Sequence, residues 1–211
     1  MPRDRSFLVF DLDGTIFAST PFYFSILEKV FEKNALELSD QEKSLAAGLS
    51  AKKFLSPRLS PEALAEALKF MNEQSTRDLE HIPVFEGFKE LLITLRNNGR
   101  RLAAWTSRDY ASTMLLLERH GLDQQFEIVV TGDCLENHKP DPEGLHRIAN
   151  FFACNAKDLV MIGDHDVDIV AAQSAGAFAI RANWHGFREG QNCHLGAMTI
   201  HSVDDLSSQL L

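Results

Sequence analysis

Apolar residues fall into two patterns along this chain. Short unbroken runs recur: Phe7-Leu8-Val9-Phe10, Leu102-Ala103-Ala104-Trp105, Phe126 to Gly132, Leu159-Val160-Met161-Ile162 and Ala177 to Arg181. Runs of this length without polar alternation predict strands buried on both faces. Between them, from Phe85 onward, apolar residues return at helical spacing. Glu86 to Asn98 places Leu91, Leu92 and Leu95 on one face and stops at Gly99. Tyr110 to His120 starts behind a capping Asp109 and stops at Gly121; Asp141-Pro142 opens a helix to Phe152; Val167 to Ala175 stops at Gly176. Acidic caps, a proline in the first turn and a terminal glycine are the expected helix punctuation. The tail adds a short strand, Ala197 to Ile200, and a helix, Val203 to Leu210. Strands separated by helices predict an α/β fold, a doubly wound parallel sheet with helices on both faces.

Phe17 to about His81 breaks the alternation. Tyr23 to Lys33, Asp40 to Gly48, Ala51 to Leu55 and Pro61 to Leu79 all read as helical, with Ser60-Pro61 a good helix start. The expected organisation is therefore an α/β core from residues 1–16 and 83–211, interrupted by a helical insertion at 17–82.

A chain of 211 residues is long enough for a sizeable core with an insertion. Its formal net charge of −9 argues against nucleic acid or an anionic membrane as a partner. The three cysteines, Cys134, Cys154 and Cys193, are odd in number and scattered, which suits a reducing compartment better than a disulfide framework. Cys193 and His194 form no metal-site spacing with another Cys or His pair. No apolar run approaches the ~20 residues of a membrane span. Residues 1–6 lead into the first strand without the apolar segment of a secretion signal, so the expectation is a cytoplasmic protein.

Chemistry gathers where the predicted strands end. Asp11-Leu12-Asp13-Gly14-Thr15 follows the first run, Thr106-Ser107-Arg108 the second, His138-Lys139-Pro140-Asp141 the third, and Gly163-Asp164-His165-Asp166-Val167-Asp168 the fourth. In open parallel sheets, ligands bind beyond the carboxyl ends of the strands. Asp11 and Asp13, two residues apart, project to the same side. Paired acids there can hold Mg²⁺, and one can attack phosphorus. A calcium loop fails on spacing from either cluster. Ile16 and Phe22, or Ile169 and Ala175, occupy the positions that need Gly and Glu.

These four motifs, in this order, resemble the haloacid dehalogenase superfamily, specifically its phosphoglycolate phosphatase-like members. The resemblance spans nearly the whole chain and extends to Asp168-Ile169-Val170-Ala171-Ala172 and Trp184-His185-Gly186. It implies a Rossmann-like core whose helical insertion is a small cap that closes over the active site. It implies an aspartyl-phosphate mechanism. Asp11 is then the nucleophile, and Asp13 the acid for the leaving oxygen and later the base for water. Thr106, helped by Ser107, binds phosphate, and Lys139 neutralises it. Mg²⁺ is held by Asp11, the main-chain carbonyl of Asp13 and Asp164, with Asp168 ordering a metal-bound water. The implied activity is Mg²⁺-dependent hydrolysis of a small phosphorylated metabolite. A phosphomutase of the same family, or a non-catalytic regulatory protein on this fold, is the alternative; Asp13 speaks against a carbon–halogen hydrolase. Ala18 departs from the pattern, since many such relatives carry an acid there. Arg108 resembles a basic residue often found after the second motif, at the site's mouth or on the surface. Asp166 falls at a variable position, and His138 and His165 read as neighbours of the chemistry. Gly48-Leu49-Ser50 with Lys52, Lys53 and Phe54 resembles the cap loop that reaches substrate, or forms a solvated helix face.

Overall fold

A computed structural model describes residues 6–47, 51–77, 79–184 and 197–211. The chain divides into two compact units, Ala18–Pro83 and the remainder on either side of it. Gly48-Leu49-Ser50, His185-Gly186, Cys193 and His194 lie outside the described residues.

The first unit is helical: α1 (Ser19–Lys33), α2 (Asp40–Ala47), α3 (Ala51–Leu55) and α4 (Pro61–Arg77), then a 3₁₀ turn at Leu79–His81. Helix α1 begins a turn earlier than the apolar spacing suggests. Pro21 is compatible with this, because N–H groups of a helix's first turn have no intrahelical partner to lose. Phe24, Leu27, Val30 and Phe31 of α1 pack with Phe54, Leu55, Ala67 and Met71. Phe31 and Phe54 stack at 5.9 Å, and the Arg58 guanidinium lies 4.1 Å over the Phe54 ring while bonding Glu42. Lys52 and Lys53 are exposed.

In the other unit the apolar runs become β1 (Phe7–Phe10), β2 (Arg101–Trp105), β3 (Ile128–Val130), β4 (Leu159–Gly163), β5 (Phe178–Ala182) and β6 (Met198–Ile200). All pairings are parallel, in the order β3-β2-β1-β4-β5-β6. The connecting helices are α5 (Phe88–Asn97), α6 (Tyr110–His120), α7 (Glu143–Phe152), α8 (Asp166–Ala175) and α9 (Val203–Leu210). Asp109 caps α6 by accepting from the Ser112 N–H at 2.9 Å, and Gly121 ends it in the left-handed conformation. β3 is shorter than the run Phe126 to Gly132, because the Gly132 N–H turns away to the Arg108 carbonyl at 2.7 Å and a 3₁₀ turn follows.

Strand alternation assigns the two faces. Val9, Ala103, Trp105 and Met161 pack with Leu145, Ile148 and Phe152 of α7 and Ile169, Ala171 and Ala172 of α8. Phe10 points the other way, edge-on to Phe88 of α5 at 5.8 Å. No helix among the described residues is long and apolar enough to cross a membrane.

Gly144 in the first turn of α7 lies against the indole of Trp105, so close that a Cβ would overlap the ring. Trp105 is fully buried and fixed by its strand, so neither neighbour has room to yield. Gly144→Val is expected to cost about 1–3 kcal/mol. At about 2–4 °C per kcal/mol for a chain of this size, thermal denaturation reads this directly. An unchanged Tm would show that the α7 contact is loose.

Candidate active site

β1 and β4 are neighbours, yet the chain winds from β1 toward β2 and β3 on one side and from β4 toward β5 and β6 on the other. Their carboxyl ends therefore flank the crevice where an open sheet binds ligands. Asp11 is the first residue past β1, and its N–H continues the ladder to the Ile162 carbonyl at 2.8 Å. A tight loop follows. Ile16 and Phe17 both donate to the Leu12 carbonyl at 2.9 Å, Gly14 donates to Phe17, and Phe85 donates to Ile16. The indole N–H of Trp184 holds the Thr15 carbonyl at 2.8 Å. Gly14 serves two needs at once. Its φ of 79° favours glycine, and a Cβ there would overlap the carboxylate of Asp164. The two acidic loops thus meet at a bare α-carbon.

Lys139 reaches this point from the loop after β3. Its ammonium donates to Asp11 Oδ1 at 2.6 Å and to the Trp105 carbonyl at 2.7 Å, and pairs with Asp168 Oδ1 at 2.8 Å. The lysine side chain is only 2% exposed, so it is no solvated loop residue. Burial by itself acts to lower its pKa, but the charges of Asp11 and then Asp168 outweigh this, and the group stays protonated. Asp168 is fixed from the other side: its Oδ2 accepts the His165 N–H at 3.0 Å. Its buried Oδ1 has the charge contact with Lys139 but no aligned hydrogen bond.

Carboxylate oxygens of Asp11, Asp164 and Asp168 lie within 4.8 Å of one another. These oxygens are close enough together for one hard cation to be held among them. Three carboxylates face one ammonium, an excess of negative charge that suits a divalent cation. Burial pushes the Asp11 carboxyl well above the usual range; Lys139 opposes this, while Asp168 and Asp164 add to it. An all-oxygen donor set and an excess of negative charge together fit Mg²⁺.

Thr106 follows β2 and is buried; its Oγ1 accepts the Arg108 N–H at 3.1 Å. Ser107 is exposed. Asp13 directs its carboxylate to Arg108, with Nε to Oδ2 at 2.6 Å and Nη2 to Oδ1 at 2.7 Å. The structure thus brings Asp11, Asp164, Asp168 and Lys139 into one cluster and holds Asp13 in a pair with Arg108.

Two arginines take places that sequence reasoning left open or missed. Arg108 is no surface residue: its side chain is 17% exposed, and Asp13 raises its pKa against the lowering effect of burial. Arg181 lies on β5 beside Gly163. It is buried, donates Nη2 to Asp166 at 2.6 Å and Nη1 to the Asp164 carbonyl at 3.4 Å, and so anchors the acidic loop. A cation inside the apolar run Phe178-Ala179-Ile180-Arg181-Ala182 was the available signal. His165 caps α8 through Nδ1, which accepts the Val167 N–H at 3.3 Å, and His138 is exposed.

The model of the haloacid dehalogenase-like hydrolase family matches residues 8–182. A phosphoglycolate phosphatase of Vibrio cholerae is 29% identical, covering 87% of this chain and 86% of that protein. A pyrophosphatase of Halalkalibacterium halodurans is 28% identical over 80% of this chain and 79% of its own. Among solved structures, one described as a phosphoglycolate phosphatase from Lactobacillus plantarum superposes with a TM-score of 0.83 at 18% identity, covering 98% of this chain and 99% of that one.

The raised Asp11 pKa has a sign in stability. A folded state that holds its proton more tightly than the unfolded chain loses stability as pH rises from about 4 toward the raised value. Without divalent cations, Tm is therefore expected to fall across that window. Asp11→Asn, which mimics the neutral carboxyl, should remove that part of the fall and raise Tm in EDTA at neutral pH by a few degrees, about 2–4 °C per kcal/mol. A lower Tm for the variant would show that the bond to Lys139 outweighs the burial and repulsion.

Proposed function

The chain belongs to the haloacid dehalogenase-like hydrolases and is a phosphatase of that family; we propose that it hydrolyses small phosphomonoesters with Mg²⁺, through an aspartyl-phosphate on Asp11. The observation that carries this reading is the Asp11–Lys139 pair at 2.6 Å beside Asp164 and Asp168. A nucleophilic carboxylate stands there next to the charges that a phosphoryl group needs.

In the first step an Asp11 oxygen bonds to phosphorus as the ester P–O bond breaks, and the departing oxygen takes a proton from Asp13. In the second, water bonds to phosphorus, gives a proton to Asp13, and displaces the Asp11 oxygen. This restores the carboxylate and leaves inorganic phosphate. Lys139 is a compact point charge fixed at the nucleophile, placed to neutralise an equatorial oxygen. Thr106 Oγ1 has a hydrogen to donate to another. Mg²⁺ held by Asp11, Asp164 and the Asp13 carbonyl, with Asp168 ordering a water, supplies the remaining positive charge when bound. A phosphomutase would use the same acids but return the phosphoryl group to the substrate.

EDTA is expected to abolish phosphate release from a panel of small monoesters, and Mg²⁺ to restore it. Ca²⁺ should substitute poorly, because its larger and looser shell distorts in-line geometry. The assay follows inorganic phosphate against substrate consumed. Full activity after exhaustive chelation would remove the metal from the reading, and isomerised product without stoichiometric phosphate would favour the mutase.

A further inference from the structure

Lys139 reaches the cluster on a long flexible stem, from a loop, residues 135–142, that lies outside any helix or strand. A stem of that kind arrives at one place only if the backbone at its root is held. The first turn of α7 holds it from both sides. Glu143, the first residue of the helix, accepts the Glu136 N–H on Oε1 at 3.2 Å and the Asn137 N–H on Oε2 at 2.8 Å, with Asn137 Nδ2 adding a bond of 3.1 Å. Beyond Lys139, the Asp141 N–H donates to the His138 carbonyl at 3.0 Å, and Asp141 Oδ1 accepts the Glu143 N–H at 3.0 Å. One turn later, Arg147 donates Nη1 to the Cys134 carbonyl at 2.6 Å. This turn is fixed in its own right, since Gly144 lies against the Trp105 indole and Leu145 is fully buried. Trp105 in turn meets the tip of the lysine. Its carbonyl accepts from the ammonium, and its ring centroid is 4.7 Å away.

We propose that Glu143 is a positioning residue for phosphoryl transfer: it clamps the loop before Lys139 and so sets where the ammonium stands. This rests on the phosphatase reading, in which Lys139 neutralises an equatorial phosphoryl oxygen. Glu143 acts through the loop alone, because the ammonium is bonded to Asp11, Asp168 and the Trp105 carbonyl and not to Glu143. A carboxylate suits the task. It offers two oxygens to two successive N–H groups, and bonds to a charged acceptor are short and strong. Negative charge in a helix's first turn is also favoured by the helix dipole. The two amides, Asn137 more than Glu136, hold the Glu143 carboxyl below the usual carboxylate range, so the clamp is charged at neutral pH. Glutamine keeps one acceptor and turns an NH₂ group toward the other amide. Alanine leaves both amides to water, and Lys139 then has the same chemistry on a looser root.

The first measurement needs no turnover. Trace acetylation of the full chain with acetic anhydride, mapped by peptide mass spectrometry, reads how often each lysine opens to the reagent. Lys139, buried in its pairs, should label slowly in the wild type. Its rate should rise about tenfold in Glu143→Ala, as loss of a charge-assisted hydrogen bond predicts, and less in Glu143→Gln, while Lys89 keeps its rate. An unchanged Lys139 rate in both variants, or an equal rise at Lys89, overturns the proposal. The second measurement follows p-nitrophenyl phosphate with Mg²⁺. Glu143→Ala should lower kcat/KM about 10–100-fold, the cost of a misplacement of up to about 1 Å, with most of the loss in kcat and partial rescue in Glu143→Gln. In a Lys139→Ala background the same substitution should cost less than about twofold, because no ammonium is left to place. Equal losses in the two backgrounds would mark a general structural role and overturn the proposal. Labelling of Lys139 that depends on Glu143, together with undiminished turnover in Lys139→Ala, would leave the clamp standing and overturn the part that the phosphatase reading gives Lys139.

Discussion

The buried ammonium of Lys139 organises the site. It joins Asp11 at the end of β1, Asp168 in the first turn of α8 and the Trp105 carbonyl at the end of β2. Asp11 and Lys139 are 128 residues apart in sequence, so this contact exists only once the sheet has formed. A charged amine removed from water is costly unless it is paired and hydrogen-bonded. The requirement runs both ways. The sheet order brings the partners together, and the lysine fixes the loop after β3 over the strand ends. Gly14 and Gly144 serve the same close packing, one letting Asp164 approach the first loop and the other letting α7 lie against Trp105.

The cluster is built for charge, and its stability suffers for it. Burial raises the Asp11 pKa first, Lys139 opposes it, and the neighbouring carboxylates of Asp168 and Asp164 add to it. Two arginines brace the acidic loops. Arg181 ties the backbone of Asp164 and the side chain of Asp166 to β5, and Arg108 compensates Asp13. The acidic loops keep their spacing because each is braced by a cation outside the Asp11–Asp164–Asp168 cluster. Strained, charge-rich sites of this kind exchange stability for function.

Much of the fold could be read from hydrophobic pattern. Runs such as Leu159 to Ile162 have no polar face to offer water, and Asp109, Gly121 and Gly176 mark helix ends by their own backbone chemistry. Placement of the acids at strand ends was legible for the same reason. Lys139 was not legible locally: His138-Lys139-Pro140-Asp141 reads as an ordinary polar loop, and only resemblance to a family singled the lysine out. The Arg108 and Arg181 pairings were beyond sequence reasoning because their partners are 95 and 15 residues away and are set by strand order. Arg181 still left a trace, as a lone cation in a buried strand. Helix α1 starts ahead of its apolar spacing, which begins only after Pro21, because backbone geometry tolerates proline in a helix's first turn.

The central claim is that Asp11 forms a covalent bond to phosphorus. It is tested most directly by mixing enzyme, Mg²⁺ and a ³²P-labelled monoester, quenching in acid within milliseconds, and mapping the label by peptide mass spectrometry. The account predicts a hydroxylamine-sensitive phosphoryl group on Asp11, appearing before free phosphate and absent in Asp11→Asn. Phosphate released at the first turnover with no protein-bound label, or label on another residue, would contradict it.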